Sequence, residues 1–208
     1  MSNNNTPSYD VADYLKKALP YFPPTEKNTL ARQDHIKATP EDYAAVGDYL
    51  YFTARTVFLQ SHGVIAFFLA QQAIENYLKG LLKHLGNNKM ISDHNLEEIL
   101  KKVKKMTKEP FFHSDECLAI IKCFNPFNQL PRYPVHFTRP YNASYGYIYP
   151  DTIYFLDHFV KEYRKLYPTP PGKWNLFKEE LPFEMAMFKH SIDPKLIEIF
   201  KDKNVNFS

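Results

Sequence analysis

Between Ala66 and Lys79 the chain reads A-F-F-L-A-Q-Q-A-I-E-N-Y-L-K, apolar around most of a helix and polar along one strip. At 100° per residue, Gln71, Gln72, Glu75, Asn76, Lys79 and Lys83 share an arc of roughly 140°. A helix apolar over the remaining circumference belongs at the centre of a bundle. The pattern predicts this helix from about Val64 to Leu85, ending at Gly86-Asn87-Asn88. Ahead of it, Thr39-Pro40-Glu41-Asp42 starts another helix, with Thr as N-cap, Pro at the first turn and acids at the positive dipole end. That helix runs to about Gln60, with Tyr43, Val46, Leu50, Ala54, Val57 and Phe58 as its apolar positions. His62-Gly63 closes it, so the first two helices form an αα-hairpin with a very short turn.

Further helices follow from the same periodicity. One runs from about His94 to Met106 with Leu96, Ile99, Leu100 and Val103 inward. Another is capped by Ser114, with Cys117, Leu118, Ile120, Ile121 and Phe124 inward, and stops near Asn125-Pro126. A fifth begins near Pro150-Asp151, turns Ile153, Leu156, Val160, Tyr163 and Leu166 or Tyr167 inward, and ends at Pro168-Thr-Pro-Pro. A short helix is expected at Ile192 to Phe200 and another at Tyr9 to Leu19. The expected fold is all-α: an antiparallel up-and-down bundle of four to five helices over 40–167, with an N-terminal arm at 1–39 and a C-terminal extension at 168–208. The tail is expected to pack on the bundle or on a partner chain.

Composition narrows the function classes. With 16 prolines, ten of them clustered at 20–24, 126–140 and 168–171, the long Pro-free stretches are the helices. A net charge of +3 on 208 residues is too small to argue for nucleic acid by itself. Lys101, Lys102, Lys104 and Lys105 make one basic run, read as a solvated face near a helix C-terminus. Cys117 and Cys123 lie about 240° apart around one helix, cannot bridge within it, and are read as core thiols in a reducing compartment. No metal site or cofactor is expected, since neither a His/Cys cluster nor a phosphate-binding glycine loop is present. No apolar run approaches the ~20 residues of a membrane span, and a cytoplasmic protein without membrane contact is expected.

Candidate chemistry gathers in two places. Glu75 and Lys79, four apart, make a favourable helical ion pair and, set on a polar strip of a central helix, also line a candidate cleft or dimer seam. His94 stands at the start of the next helix, where capping or a surface hydrogen bond is its ordinary role. The stretch Asn125 to Tyr149 holds Arg132, His136, Arg139 and five tyrosines; segments this long inside compact domains are often functional. Arg132 with Tyr133 is the favoured ligand pair, guanidinium gripping phosphate and the ring stacking on a base. His136 and Arg139 stand beside them, and a competing reading has Arg132 pinning the segment to Glu75.

These residues carry a resemblance. Gln71-x-Ala73-x-Glu75-x-x-x-Lys79, then His94-x-Leu96, then Arg132-Tyr133-Pro134 resembles the HEPN family (higher eukaryotes and prokaryotes nucleotide-binding domain), over about residues 40–167. The resemblance implies a four- or five-helix bundle acting as a metal-independent endoribonuclease, as the partner of a small nucleotidyltransferase in toxin–antitoxin pairs, or as a non-catalytic binding domain. It also implies a homodimer. The ribonucleases of the family use an Arg and a His with four to six residues between them, Arg holding the phosphate and His moving protons. Here Arg132 and His136 are separated by three residues, and Pro134 lies between them. Arg55 and His62 have an allowed spacing but sit at the end of the first helix, where the family does not place its motif. The expectation is therefore a non-catalytic nucleotide- or RNA-binding module. The alternatives are a divergent ribonuclease using Arg132 and His136, or a bundle that binds another protein.

Overall fold

In the computed structural model, which describes residues 37–59, 63–87, 89, 91–128, 152–167 and 194–207, α1 spans Pro40–Leu59 and α2 Gly63–His84. They continue with α3 (Leu96–Met106), a one-turn α4 (Pro110–His113), α5 (Asp115–Phe124), a 3₁₀ turn at Asn125–Asn128, α6 (Thr152–Leu166) and α7 (Pro194–Lys201). The described residues are all-α, with no strand among them. Residues from Ala38 onward belong to one unit. The expected helix at Tyr9 to Leu19 lies outside the described residues.

Local chemistry sets the helix ends. Thr39 Oγ1 accepts from the Asp42 amide (3.2 Å), and Asp42 Oδ2 accepts from the Thr39 amide (2.8 Å), a reciprocal cap. Asn95, rather than His94, caps α3 through the Glu97 and Glu98 amides, so α3 begins two residues later than the pattern suggested. Ser114 caps α5, as expected, by accepting from Cys117. The single turn α4 leaves no mark in the hydrophobic pattern, because four residues are too few to show a period. Its Phe111 and Phe112 nevertheless enter the core and stack edge-on against Phe159.

Helix α2 is the central rod. Ala66, Phe67, Ala70, Ala73, Ile74, Tyr77, Leu78, Leu81 and Leu82 are wholly shielded from water. The α1–α2 hairpin is antiparallel: Phe58 packs on Phe67 at the turn end, Gly47 meets the Tyr77 ring, and Gly80 lies against Pro40 and Tyr43 at the far end. Helix α6 runs antiparallel to α1, as its pairs show: Tyr167 with Glu41, Arg164 with Asp48, and Asp157 with Arg55. The expected inward faces of α3, α5 and α6 are present, with Leu118 and Leu166 only partly covered.

Helix α1 departs from expectation. Val46 stands 48% exposed, while Gly47, Asp48, Tyr51, Phe52, Arg55 and Thr56 form the buried side. A purely apolar reading cannot find that face, because two of its members are charged. They are held inside by partners from α6 that are distant in sequence.

Candidate functional site

Three polar clusters thread the bundle, and two of them are structural pins. Arg55 and Asp157 are both fully buried. Arg55 Nε donates to the two carboxylate oxygens at 3.0 and 3.1 Å, Nη1 to the carbonyl of Ile199 (3.1 Å), and Nη2 to that of Asp202 (2.6 Å). The Tyr51 hydroxyl donates to Asp157 (2.7 Å), and Asn206 donates its amide to Tyr51 and to the Asp157 carbonyl. Phe200 packs on Tyr51 and Phe52, with Phe207 behind it. The C-terminal segment 194–207 is thereby clasped onto α1 and α6. This guanidinium is wholly buried against a carboxylate and two carbonyls and is not presented to a ligand. This agrees with treating the Arg55 and His62 spacing as coincidence; His62 lies outside the described residues.

The second pin joins α1, α2 and α6. Asp48 pairs with Arg164 and accepts from the Tyr77 hydroxyl at 2.7 Å. Burial pushes the carboxyls of Asp48 and Asp157 above the usual range, against the opposing pull of their arginines. The same cause raises Tyr51 and Tyr77 well above ordinary phenols. These groups are enclosed by packing and serve to join the helices.

The third cluster is the polar strip of α2. Glu75 lies at its hub, 4% exposed. Its Oε1 accepts from Lys79 Nζ (2.8 Å) and faces His94 Nδ1 (2.9 Å), while Oε2 lies 3.3 Å from the Gln71 amide and 3.4 Å from that of Gln72. Gln71 also donates to the His94 carbonyl at 3.1 Å. Sequence motifs 19 residues apart are therefore one hydrogen-bonded object. Lys79 is 7% exposed, so the two strip residues expected to touch ligand are bound to each other below the surface. The His94 side chain is 52% exposed.

The other expected site residues, Arg132, Tyr133, His136 and Arg139, lie outside the described residues. The described residues on either side of that stretch are packed into the bundle. Asn125 Oδ1 accepts from the Leu96 amide (2.8 Å), Phe127 packs on Phe67 with ring centroids 5.1 Å apart, and Thr152 and Ile153 are buried where α6 begins.

Among the described residues no group of three or more His, Cys, Asp or Glu could hold a metal ion. Burial pushes the Cys117 thiol up to about 12, which removes it as a nucleophile near neutral pH. No described helix is long and apolar enough to cross a membrane.

An all-α bundle whose central helix carries a buried Gln-Glu-Lys network, clipped to a histidine ahead of the next helix, defines a small helical-domain class. Residues 53–151 match the model of the HEPN domain, and this stretch is a HEPN domain. The match starts within α1 and stops just before α6, short of the 40–167 expected at each end. It leaves out Asp157, Arg164 and the clasped tail. No curated protein and no solved structure matches the chain. The family connects the chain to nucleotide- or RNA-related roles in general.

Proposed function

We propose that the chain is a non-catalytic HEPN module that binds a nucleotide or RNA, with Arg132 gripping phosphate and Tyr133 stacking on a base. Arg139, Lys79 and Glu75 complete the proposed ligand set. One observation carries the reading: both described arginines, Arg55 and Arg164, are withdrawn into the bundle against carboxylates. The chain has five arginines, and only Arg132 and Arg139 of the remaining three fall within the HEPN match. Recognition of phosphate favours guanidinium, with its planar fork of donors. The spacing of Arg132 and His136, with Pro134 between them, supports binding over cleavage. A homodimer, alone or beside a separate nucleotidyltransferase, is the proposed assembly.

The test uses the full-length chain, fluorescently labelled RNA and labelled ATP, in chelator. Saturable binding with the RNA left intact, weakened about tenfold or more in Arg132→Ala, is the expected result. Cleavage abolished by Arg132→Ala or His136→Ala would make the protein a ribonuclease instead. Absence of binding to either probe would leave a protein-interaction bundle.

A further inference from the structure

The clasp on the C-terminal segment is one hydrogen short whenever Asp157 is ionised. Tyr51, Arg55 and Asp157 are fully buried, and Asn204 of the tail is buried with them. The Tyr51 oxygen stands between two acceptors, Asp157 Oδ1 at 2.7 Å and Asn204 Oδ1 at 3.0 Å. Which end of the Asn204 amide faces it is set by backbone groups: Nδ2 donates to the Phe200 carbonyl (3.2 Å), and Oδ1 accepts from the Asn206 backbone N–H (3.0 Å). Asn206 approaches as a donor, its Nδ2 lying 3.1 Å from the Tyr51 oxygen and 3.0 Å from the Asp157 carbonyl. A phenol carries a single hydrogen. With Asp157 ionised, that hydrogen serves either the carboxylate or the asparagine, and the other two oxygens meet without one.

A proton on Asp157 completes the row. Oδ1 then donates to the Tyr51 oxygen, the Tyr51 hydroxyl donates to Asn204, and Arg55 Nε keeps Asp157 Oδ2 at 3.1 Å. The neutral carboxyl leaves Arg55 to be balanced by the tail, whose Ile199 and Asp202 carbonyls lie at the C-terminal end of α7, where a helix favours a cation. Burial already outweighs the pull of Arg55 on this carboxyl, and the tail is part of that burial. Among the described residues, the charged and titratable groups facing Asp157 are Arg55 and Tyr51 of α1. Of the other elements against α6, α2 brings Tyr77 to Tyr163, α4 brings Phe111 to His158, and α5 brings Glu116, which also faces His158. Asp48 and Arg164 pair with each other about two turns further along, and Lys201, Asp202 and Lys203 of the tail are exposed.

We propose that the C-terminal segment 194–207 is a proton-sensitive latch: a proton held between Asp157 and Tyr51 tightens its seat on α1 and α6, and loss of that proton loosens it. The sign follows from linkage. The docked tail makes Asp157 bind a proton more readily than it does with the tail lifted into water, so protons favour the docked tail. That contribution is fully present below the ordinary carboxylate value and is lost as pH rises through the raised, docked value. Asp157 and the tail lie outside the HEPN match, so the latch is independent of the ligand proposed for the domain.

The experiment is hydrogen–deuterium exchange of the full-length chain, read by mass spectrometry as protection relative to the free-peptide rate at each pH. Protection over 194–207 is expected to fall about threefold or more from the ordinary carboxylate range to mildly alkaline pH, through openings that leave α2 unexchanged. In Asp157→Asn, whose side-chain amide can donate to Tyr51 at every pH, the fall is expected to vanish with the tail still protected. In Asn204→Ala, which ends the competition for the Tyr51 hydrogen, the fall is expected to shrink, although the tail is less protected throughout. Wild-type protection over 194–207 that stays level with pH overturns the proposal, and so does a fall of undiminished size in Asp157→Asn. A tail that exchanges only together with α2, by unfolding of the whole bundle, also overturns it. If Asp157→Asn fails to fold, Asn204→Ala decides: a fall as large as that of wild type overturns the proposal, and a smaller one supports it.

Discussion

Replacing Arg55 by Met asks how much of this bundle depends on its clasped C-terminal segment. Arg55 is wholly buried and serves three acceptors: the Asp157 carboxylate and the carbonyls of Ile199 and Asp202. Met fills comparable space, so the substitution removes charge and donors with little cavity. Asp157 is then left in the core with the Tyr51 hydroxyl as its remaining side-chain donor. Breaking one side of a buried pair costs about 3–5 kcal/mol, because the stranded charge must stay desolvated or take up a proton. A chain of this size loses about 2–4 °C of melting temperature per kcal/mol, so a fall of about 6–20 °C is expected. Circular dichroism melts at pH 7 would measure it. The double variant Arg55→Met/Asp157→Leu removes the stranded carboxylate and is expected to recover at least half the loss. Recovery should stay incomplete, because the two tail carbonyls still lack their donor. A single variant melting within about 3 °C of wild type would refute the argument, as would a double variant no more stable than the single.

Gly47→Ala tests the hairpin packing: its Cβ would lie 2.7 and 2.8 Å from Tyr77 ring carbons, and Asp48 holds that ring by its hydroxyl. A loss of about 1–3 kcal/mol in chemical denaturation is expected, and a neutral result would mean the hairpin relaxes more readily than these contacts allow. The buried carboxyls predict a pH effect of definite sign. Asp48 and Asp157 bind protons more readily when folded than when unfolded. Their contribution to stability is fully present below the ordinary carboxylate value and is lost as pH rises through the raised folded value. As pH falls toward the ordinary carboxylate range, acidification should therefore favour wild type relative to Asp157→Asn in urea midpoints, and the opposite trend would contradict the assignment.

The helical body and the Glu75–Lys79 ion pair were legible in local pattern for a plain reason. Apolar spacing on α2, α3, α5 and α6 reports which side faces the core, because burying hydrocarbon is the dominant local demand. Caps at Thr39 and Ser114 were readable because the capping side chain and its amide are three residues apart. Glu75 and Lys79 were found as a pair for the same reason. That His94 joins them was not visible, since the contact spans a turn whose path no spacing rule specifies.

The α1 face shows where local reading stops. Val46 was expected inside and stands in water, while Asp48 and Arg55 were not expected inside and are fully covered. A charged residue enters a core only with its counterpart, and theirs lie over 100 residues away on α6. The sequence by itself determined an all-α bundle with α2 at its centre and a HEPN domain over its middle stretch, since periodicity and motif are properties of short stretches. Tertiary structure alone decided which charges are pins and which stand at the surface. It also decided that residues 194–207 close over Arg55, because burial of an ion pair depends on partners that meet only after folding.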